Sequence, residues 1–186
     1  MISHLLKAES VPIVLVFMIC SILSFSCAKV DQTSKEDLKI ADYYLNLGTN
    51  FGKLGKYQEA VDALKKTIRI KPDHADAHYK LSFVYAKLGN NQEEVDALKK
   101  TIRIKPDHAD AHYNLGSAYA ELGKYQEAVD SIRQAIRIKP DFADAHYNLG
   151  LVYMILKDKS SALDEYKVLK DLDDEGAKKL FNEIMR

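Results

Sequence analysis

The stretch Ala109–Phe142 reads ADAHYNLGSAYAELGKYQEAVDSIRQAIRIKPDF, and it returns 34 residues away in either direction. ADAHY begins at Ala75, Ala109 and Ala143, and a looser ADYYLNLG begins at Ala41. The segment Asp62–Tyr79, DALKKTIRIKPDHADAHY, recurs without change as Asp96–Tyr113. A fixed period of this size marks a stacked repeat. Each unit has too little apolar surface to bury alone, so neighbours must stack into a solenoid.

Local pattern makes each unit a pair of helices. Leu115, Ala118, Tyr119 and Leu122 follow 3, 4 and 7 spacing, which is one helical stripe. Gly123 then supplies the left-handed residue that ends a helix. Ala128, Ile132, Ala135 and Ile136 form the stripe of a second helix, and Pro140 stops it because its ring forbids further helical hydrogen bonding. Gly116 and Ala128 are small where two helix axes must approach closely. The spacing predicts first helices over 41–54, 75–88, 109–122 and 143–156, and second helices over 57–70, 91–104, 125–138 and 159–171.

With these residues in register, the chain resembles the tetratricopeptide repeat family. Leu47, Leu81, Leu115 and Leu149 hold that family's leucine place, and Gly48, Ser82, Gly116 and Gly150 its small place. Phe51, Tyr85, Tyr119 and Tyr153 stand at the aromatic place, Ala60, Ala128 and Ala162 at the second small place, and Pro72, Pro106 and Pro140 close the units. The resemblance implies an all-α, right-handed helix-turn-helix solenoid. Its four repeats would be 41–74, 75–108, 109–142 and 143–176, followed by a capping helix over 177–186. In that tail Leu180, Phe181, Ile184 and Met185 share one face, as a solvating end-cap requires.

Charge is balanced at 27 basic and 27 acidic residues, which gives no sign of a nucleic-acid partner. Both cysteines, Cys20 and Cys27, precede the repeats. Val11–Phe25 carries no charge, but its 15 residues would reach only about 22 Å as a helix. That is short of a hydrocarbon core of roughly 30 Å, so residues 1–26 read as a targeting signal rather than a span. Leu23-Ser24-Phe25-Ser26-Cys27 resembles the bacterial lipobox, although its leucine stands one place further from the cysteine than usual. That resemblance implies lipidation at Cys27 and anchoring in the bacterial cell envelope. A cleaved, secreted or periplasmic protein and an uncleaved membrane anchor are the alternatives. Residues 27–40 read as a short polar tether.

The second unit departs from its neighbours. Glu94 occupies the place of Ala60 and Ala128, Ser82 that of the glycine it should meet, and Asn90-Asn91 that of Lys56-Tyr57. A hinge or a polar contact reaching out of the stack is the functional reading, and drift after duplication, with Glu94 snorkelling to solvent, is the favoured one. Where the carboxylate is crowded against helix, Glu94→Ala is expected to stabilise by about 0.5–2 kcal/mol.

Candidate chemistry is sparse. His74 and His78, like His108 and His112, stand four apart, a spacing that can bind zinc on one helical face. No third ligand recurs beside them, and packing is the preferred role for His78, His112 and His146. Asp42, Asp76, Asp110 and Asp144 recur near first-helix starts, where a carboxylate favours the helix dipole. Four equivalent aspartates do not give the contrasting environments that acid–base catalysis needs. No nucleophile elbow, phosphate loop or zinc-protease motif occurs. The expectation is a protein without enzymatic activity, cofactor or metal.

The column Asn46, Lys80, Asn114 and Asn148 is the binding candidate. The run PDFADAHYNLG is similar to the repeats of the O-linked N-acetylglucosamine transferases. That likeness implies a ladder of asparagines along the concave groove that grips a peptide backbone, and Lys80 interrupts it. An asparagine side chain both donates and accepts, so it can pair with main chain of any sequence. Tyr79, Tyr113 and Tyr147 flank the column as candidate aromatic anchors. A basic clamp on a terminal carboxylate is disfavoured, because its places hold Leu45, Tyr79, Thr49 and Phe83. The reading is a protein-interaction scaffold holding a partner peptide or helix in the groove, in assembly of an envelope complex. Its rivals are a structural module self-associating through Phe181 or Ile184, and a histidine-based metal-dependent activity.

Overall fold

The computed structural model describes residues 34–186. The expected targeting segment 1–26, the expected lipidation site Cys27 and the expected tether up to residue 33 lie outside the described residues. The chain divides into two units, Met1–Ile40 and Ala41–Arg186. In the first, residues 34–40, read from sequence as the end of a short polar tether, are helical. SKEDLKI has no Gly or Pro, and its lysine, glutamate and leucine are good helix formers.

Among the described residues all regular structure is helical. In the second unit, Ala41–Arg186, residues 41–53 form α1. It is followed by α2 (Tyr57–Ile70), α3 (Ala75–Leu88), α4 (Asn91–Ile104) and α5 (Ala109–Glu121). Then come α6 (Tyr125–Ile138), α7 (Ala143–Ile155), α8 (Lys159–Leu172) and α9 (Asp174–Met185). From α2 to α8 the observed bounds fall within a residue of the periodicity's expectation. Each even-numbered helix from α2 to α6 packs on the next odd-numbered one, and α5 also touches α7. That is the continuous stacking a solenoid requires.

First helices end in the same way in every unit. The N–H of Lys124 donates to Tyr119 O at 2.9 Å and that of Gly123 to Ala120 O at 3.0 Å, a Schellman cap. The pivot residues Gly55, Gly89 and Gly123 all have φ 73°, and in the fourth unit Lys157 adopts φ 62° in their place. A lysine there suffers the Cβ crowding that glycine avoids.

The crossing inside each unit depends on the small residues. A Cβ on Gly116 would lie 3.0 Å from Ala128 O and would overlap Ile132. One on Gly48 would meet Leu64 at 2.7 Å. Gly150 accepts a different partner, because Leu180 of α9 fills the space above it. The cap therefore inserts into the last unit, packing on both α7 and α8. It starts at Asp174, three residues before the expected 177, because Asp173 serves as both the end of α8 and the N-cap of α9. Gly176, Ala177, Leu180 and Ile184 are its buried face. Phe181 remains 38% exposed beside Tyr166, and Met185 is 67% exposed, so neither closes the stack as expected.

Glu94 also differs from expectation. It is only 8% exposed, because it occupies a crossing seat that Ala60 and Ala128 fill completely buried. Burial, and then the charge of Glu121, push its carboxyl up to about 7. Ser82 settles more easily, donating its hydroxyl to Tyr79 O at 2.7 Å within its own helix.

Candidate functional site: the first-helix face

The asparagine and tyrosine columns meet each other across units. Asn114 Nδ2 donates to the Tyr79 hydroxyl at 3.0 Å, and Asn148 Nδ2 to the Tyr113 hydroxyl at 2.8 Å. Asn148 also lies 3.5 Å from Ser117 Oγ. Each bond ties a first helix to the next one, α3 to α5 and α5 to α7. The rings are held from the other side, with Tyr79 4.7 Å from His108 and Tyr113 4.9 Å from Phe142, centroid to centroid. Burial, and then the charge of Asp110, raise the Tyr79 phenol above its usual range. Burial and Asp144 do the same for Tyr113. Both phenols therefore stay neutral hydrogen-bonding groups, and the acid column stands beside them.

This arrangement uses one amide N–H of Asn114 internally, and Asn148 Nδ2 is shared between Tyr113 and Ser117. The Oδ1 acceptors of both asparagines and the second N–H of Asn114 have no hydrogen-bond partner among the described residues. They keep the capacity to donate and accept along a main chain, with the amide plane already oriented. The columns do not extend to the first unit. Its tyrosine place holds Leu45 and Asn46 stands exposed. Tyr147, half-buried, packs against the core of the last two units.

Lys80 belongs to another feature. Together with Gly48, Thr49, Gly52 and Lys53 of α1, and Phe83 of α3, it lines a cleft of about 400 Å³. Phe83 is 54% exposed there, with Lys87 Nζ 5.3 Å from its ring centroid. Thr49 and Phe83 drew attention in the sequence only as places lacking a clamp residue. The available signal was the aromatic at a place held elsewhere by Thr49, Ser117 and Leu151.

The histidines have a repeating structural bond. Nε2 of His78, His112 and His146 reaches the carbonyl of Pro72, Pro106 and Pro140 at 2.9, 3.0 and 3.0 Å. A carbonyl only accepts, so Nε2 carries the proton and stitches each first helix to the turn before it. Among the described residues no three His, Cys, Asp or Glu side chains form a metal-ligating group. His146 alone has a second partner, Glu165 Oε2, 2.6 Å from Nδ1. The bond from Glu165 raises the His146 pKa above its ordinary value.

Basic residues of the second helices rest on aromatic rings of the first helices. Lys65, Lys99 and Arg133 lie over the rings of Tyr85, Tyr119 and Tyr153 at 6.0, 5.6 and 5.6 Å. Lys105 reaches back to Asp76 at 2.9 Å, an exposed pair. Among the described residues no helix is long and apolar enough to cross a membrane.

No curated protein matches the chain. A solved structure of MamA is 28% identical, with a TM-score of 0.71, over 80% of this chain and 86% of that one. MamA 41-end from Desulfovibrio magneticus RS-1 is 23% identical, with a TM-score of 0.68, over 72% of this chain and 76% of that one. YrrB, described as a TPR protein with an unusual peptide-binding site, is 22% identical with a TM-score of 0.70. It aligns over 90% of this chain and 87% of its own. The TPR repeat model matches residues 50–89, 84–123 and 116–156, and a tetratricopeptide repeat model matches 143–175. Residues 50–175 are thus covered without a gap, and the chain belongs to the tetratricopeptide repeat family.

Proposed function

We propose that the protein is a non-enzymatic scaffold that holds an extended segment of a partner polypeptide along the first helices. The observation that carries this is the paired Asn–Tyr ladder, in which Asn114 and Asn148 are oriented by Tyr79 and Tyr113 with an acceptor still to offer. Preorganised amides lose little entropy on binding, and main-chain pairing asks nothing of the partner's sequence. Lys80 and Phe83 give the same face an apolar, basic-edged cleft for one anchoring side chain. The peptide-binding description of YrrB agrees with this use of the fold. Lipidation at Cys27 would hold the scaffold at an envelope membrane, and the partner would then be a component of an envelope complex.

Self-association through the end cap receives less support. Ile184 is 2% exposed and holds α9 to the last unit, so it is not available as an interface residue.

A photo-reactive residue at Phe83, in cells of the source organism, should capture a partner whose yield falls at least several-fold in Asn114→Ala/Asn148→Ala. Equal capture by the double variant, or capture of the same partner from Asp62 on α2, would overturn the reading. Fatty-acid labelling that persists in Cys27→Ser would separately remove the anchor.

A further inference from the structure

Successive junctions of the stack differ at one place away from the Asn–Tyr ladder. At the junction of the third and fourth units, His146 donates Nε2–H to Pro140 O and turns Nδ1 to the carboxylate of Glu165. One repeat earlier, His112 makes the same bond from Nε2 to Pro106 O at 3.0 Å. The flanking cation is also reproduced, since Lys99 sits 5.6 Å from the Tyr119 centroid as Arg133 sits 5.6 Å from that of Tyr153. Arg103 and Arg137 correspond as well. The exception is the place of Glu165, which is Ser131.

The missing glutamate leaves a space. Between α4, α5 and α6 lies an open pocket of about 390 Å³ lined by Lys99, Ile102, Arg103, His112, Ser131 and Gln134, with Asp130 also in its wall. Nδ1 of His112 has no recorded partner among the described residues. Two cations and an imidazole thus surround the position that the fourth unit fills with a carboxylate, while Ile102 and Leu115 supply an apolar floor for methylenes. The first junction lacks this access, because Ala97 takes the serine's place and His78 is buried.

From this we infer that the α4–α5–α6 pocket is a docking site for an acidic side chain of a partner protein, a carboxylate on a short aliphatic stem seated against His112, Lys99 and Arg103. The site takes from another chain the group that Glu165 supplies from within. A phosphate would meet the same cations but leave the apolar floor uncovered, and Asp130 opposes a dianion more than a single carboxylate. Aspartate or glutamate is therefore the matching class.

The test is NMR of the full-length chain with labelled histidine, titrated with N-acetyl-glutamate amide and, in parallel, with inorganic phosphate. The His112 ring signals should move with half-saturation on the order of 10 mM, as suits a single exposed charge contact. His146, already occupied, should stay in place. Ser131→Glu should shift the His112 Nδ1 signal toward that of His146 without ligand and abolish the response to the blocked glutamate. Arg103→Ala should weaken that response several-fold. No movement of His112, equal movement of His146, an equal response to phosphate, or an undiminished response in Ser131→Glu would each overturn the assignment.

Discussion

Asn148 Nδ2 lies 2.8 Å from the Tyr113 hydroxyl, joining residues 35 apart in the chain and one unit apart in the stack. The same pairing between Asn114 and Tyr79 gives the solenoid a side-chain bond at two successive junctions of its first-helix face. Stiffness between units and, under the proposed function, partner binding therefore depend on the same atoms.

Tyr113→Phe tests that dependence. It removes the acceptor and leaves the ring beside Phe142, so the loss in unfolding free energy should be about 0.5–1.5 kcal/mol. Urea titration with an unchanged m-value would measure it. Partner capture should weaken as well, because the Asn148 amide is no longer held. Unchanged stability would mean that the bond contributes nothing to the junction.

Glu94 should make stability fall with pH. Its carboxyl, raised from 4.5 to about 7 by burial and Glu121, prefers the protonated form when folded. The cost of ionising it is absent below pH 4.5, grows up to about 7 and then levels off, reaching on the order of 3 kcal/mol. Glu94→Gln should therefore stabilise by about 1–3 kcal/mol at pH 8 and by almost nothing at pH 4. A gap between parent and variant that is the same at both values would contradict this account.

His146 works in a different window. Its pKa is raised by Glu165, so the pair stabilises the fold below the ordinary histidine value of about 6.5 and loses that effect as pH rises beyond it. Glu165→Gln should cost about 1.5–3 kcal/mol at pH 6 and distinctly less at pH 9. Chemical denaturation at the two values gives the comparison, and a larger cost at pH 9 would reverse the assigned sign.

Lys157 carries the left-handed backbone that glycine carries at Gly55, Gly89 and Gly123. Lys157→Gly should raise stability by about 0.5–1 kcal/mol, the relief of Cβ crowding exceeding the added freedom of the unfolded chain. Lys157→Ala keeps the Cβ and should bring no gain. Thermal melts of the two variants beside the parent decide the point.

The amino-acid sequence by itself determined the period, the helix pairs and the small seats at Gly48, Gly116 and Ala128. These follow from interactions within a few turns of helix, written four times over. It also singled out Asn114, Asn148, Tyr79 and Tyr113, though only as separate columns. That they bond to one another, that Glu94 is buried rather than solvated, and that Phe83 stands over a cleft depended on where one unit lies against the next. The cap shows the same division, since Leu180 and Ile184 belonged visibly to an apolar face while the helix register that turned Phe181 outward did not. A side chain's partner one repeat away is set by stacking geometry, and stacking is decided by the whole packed surface rather than by any local run of residues.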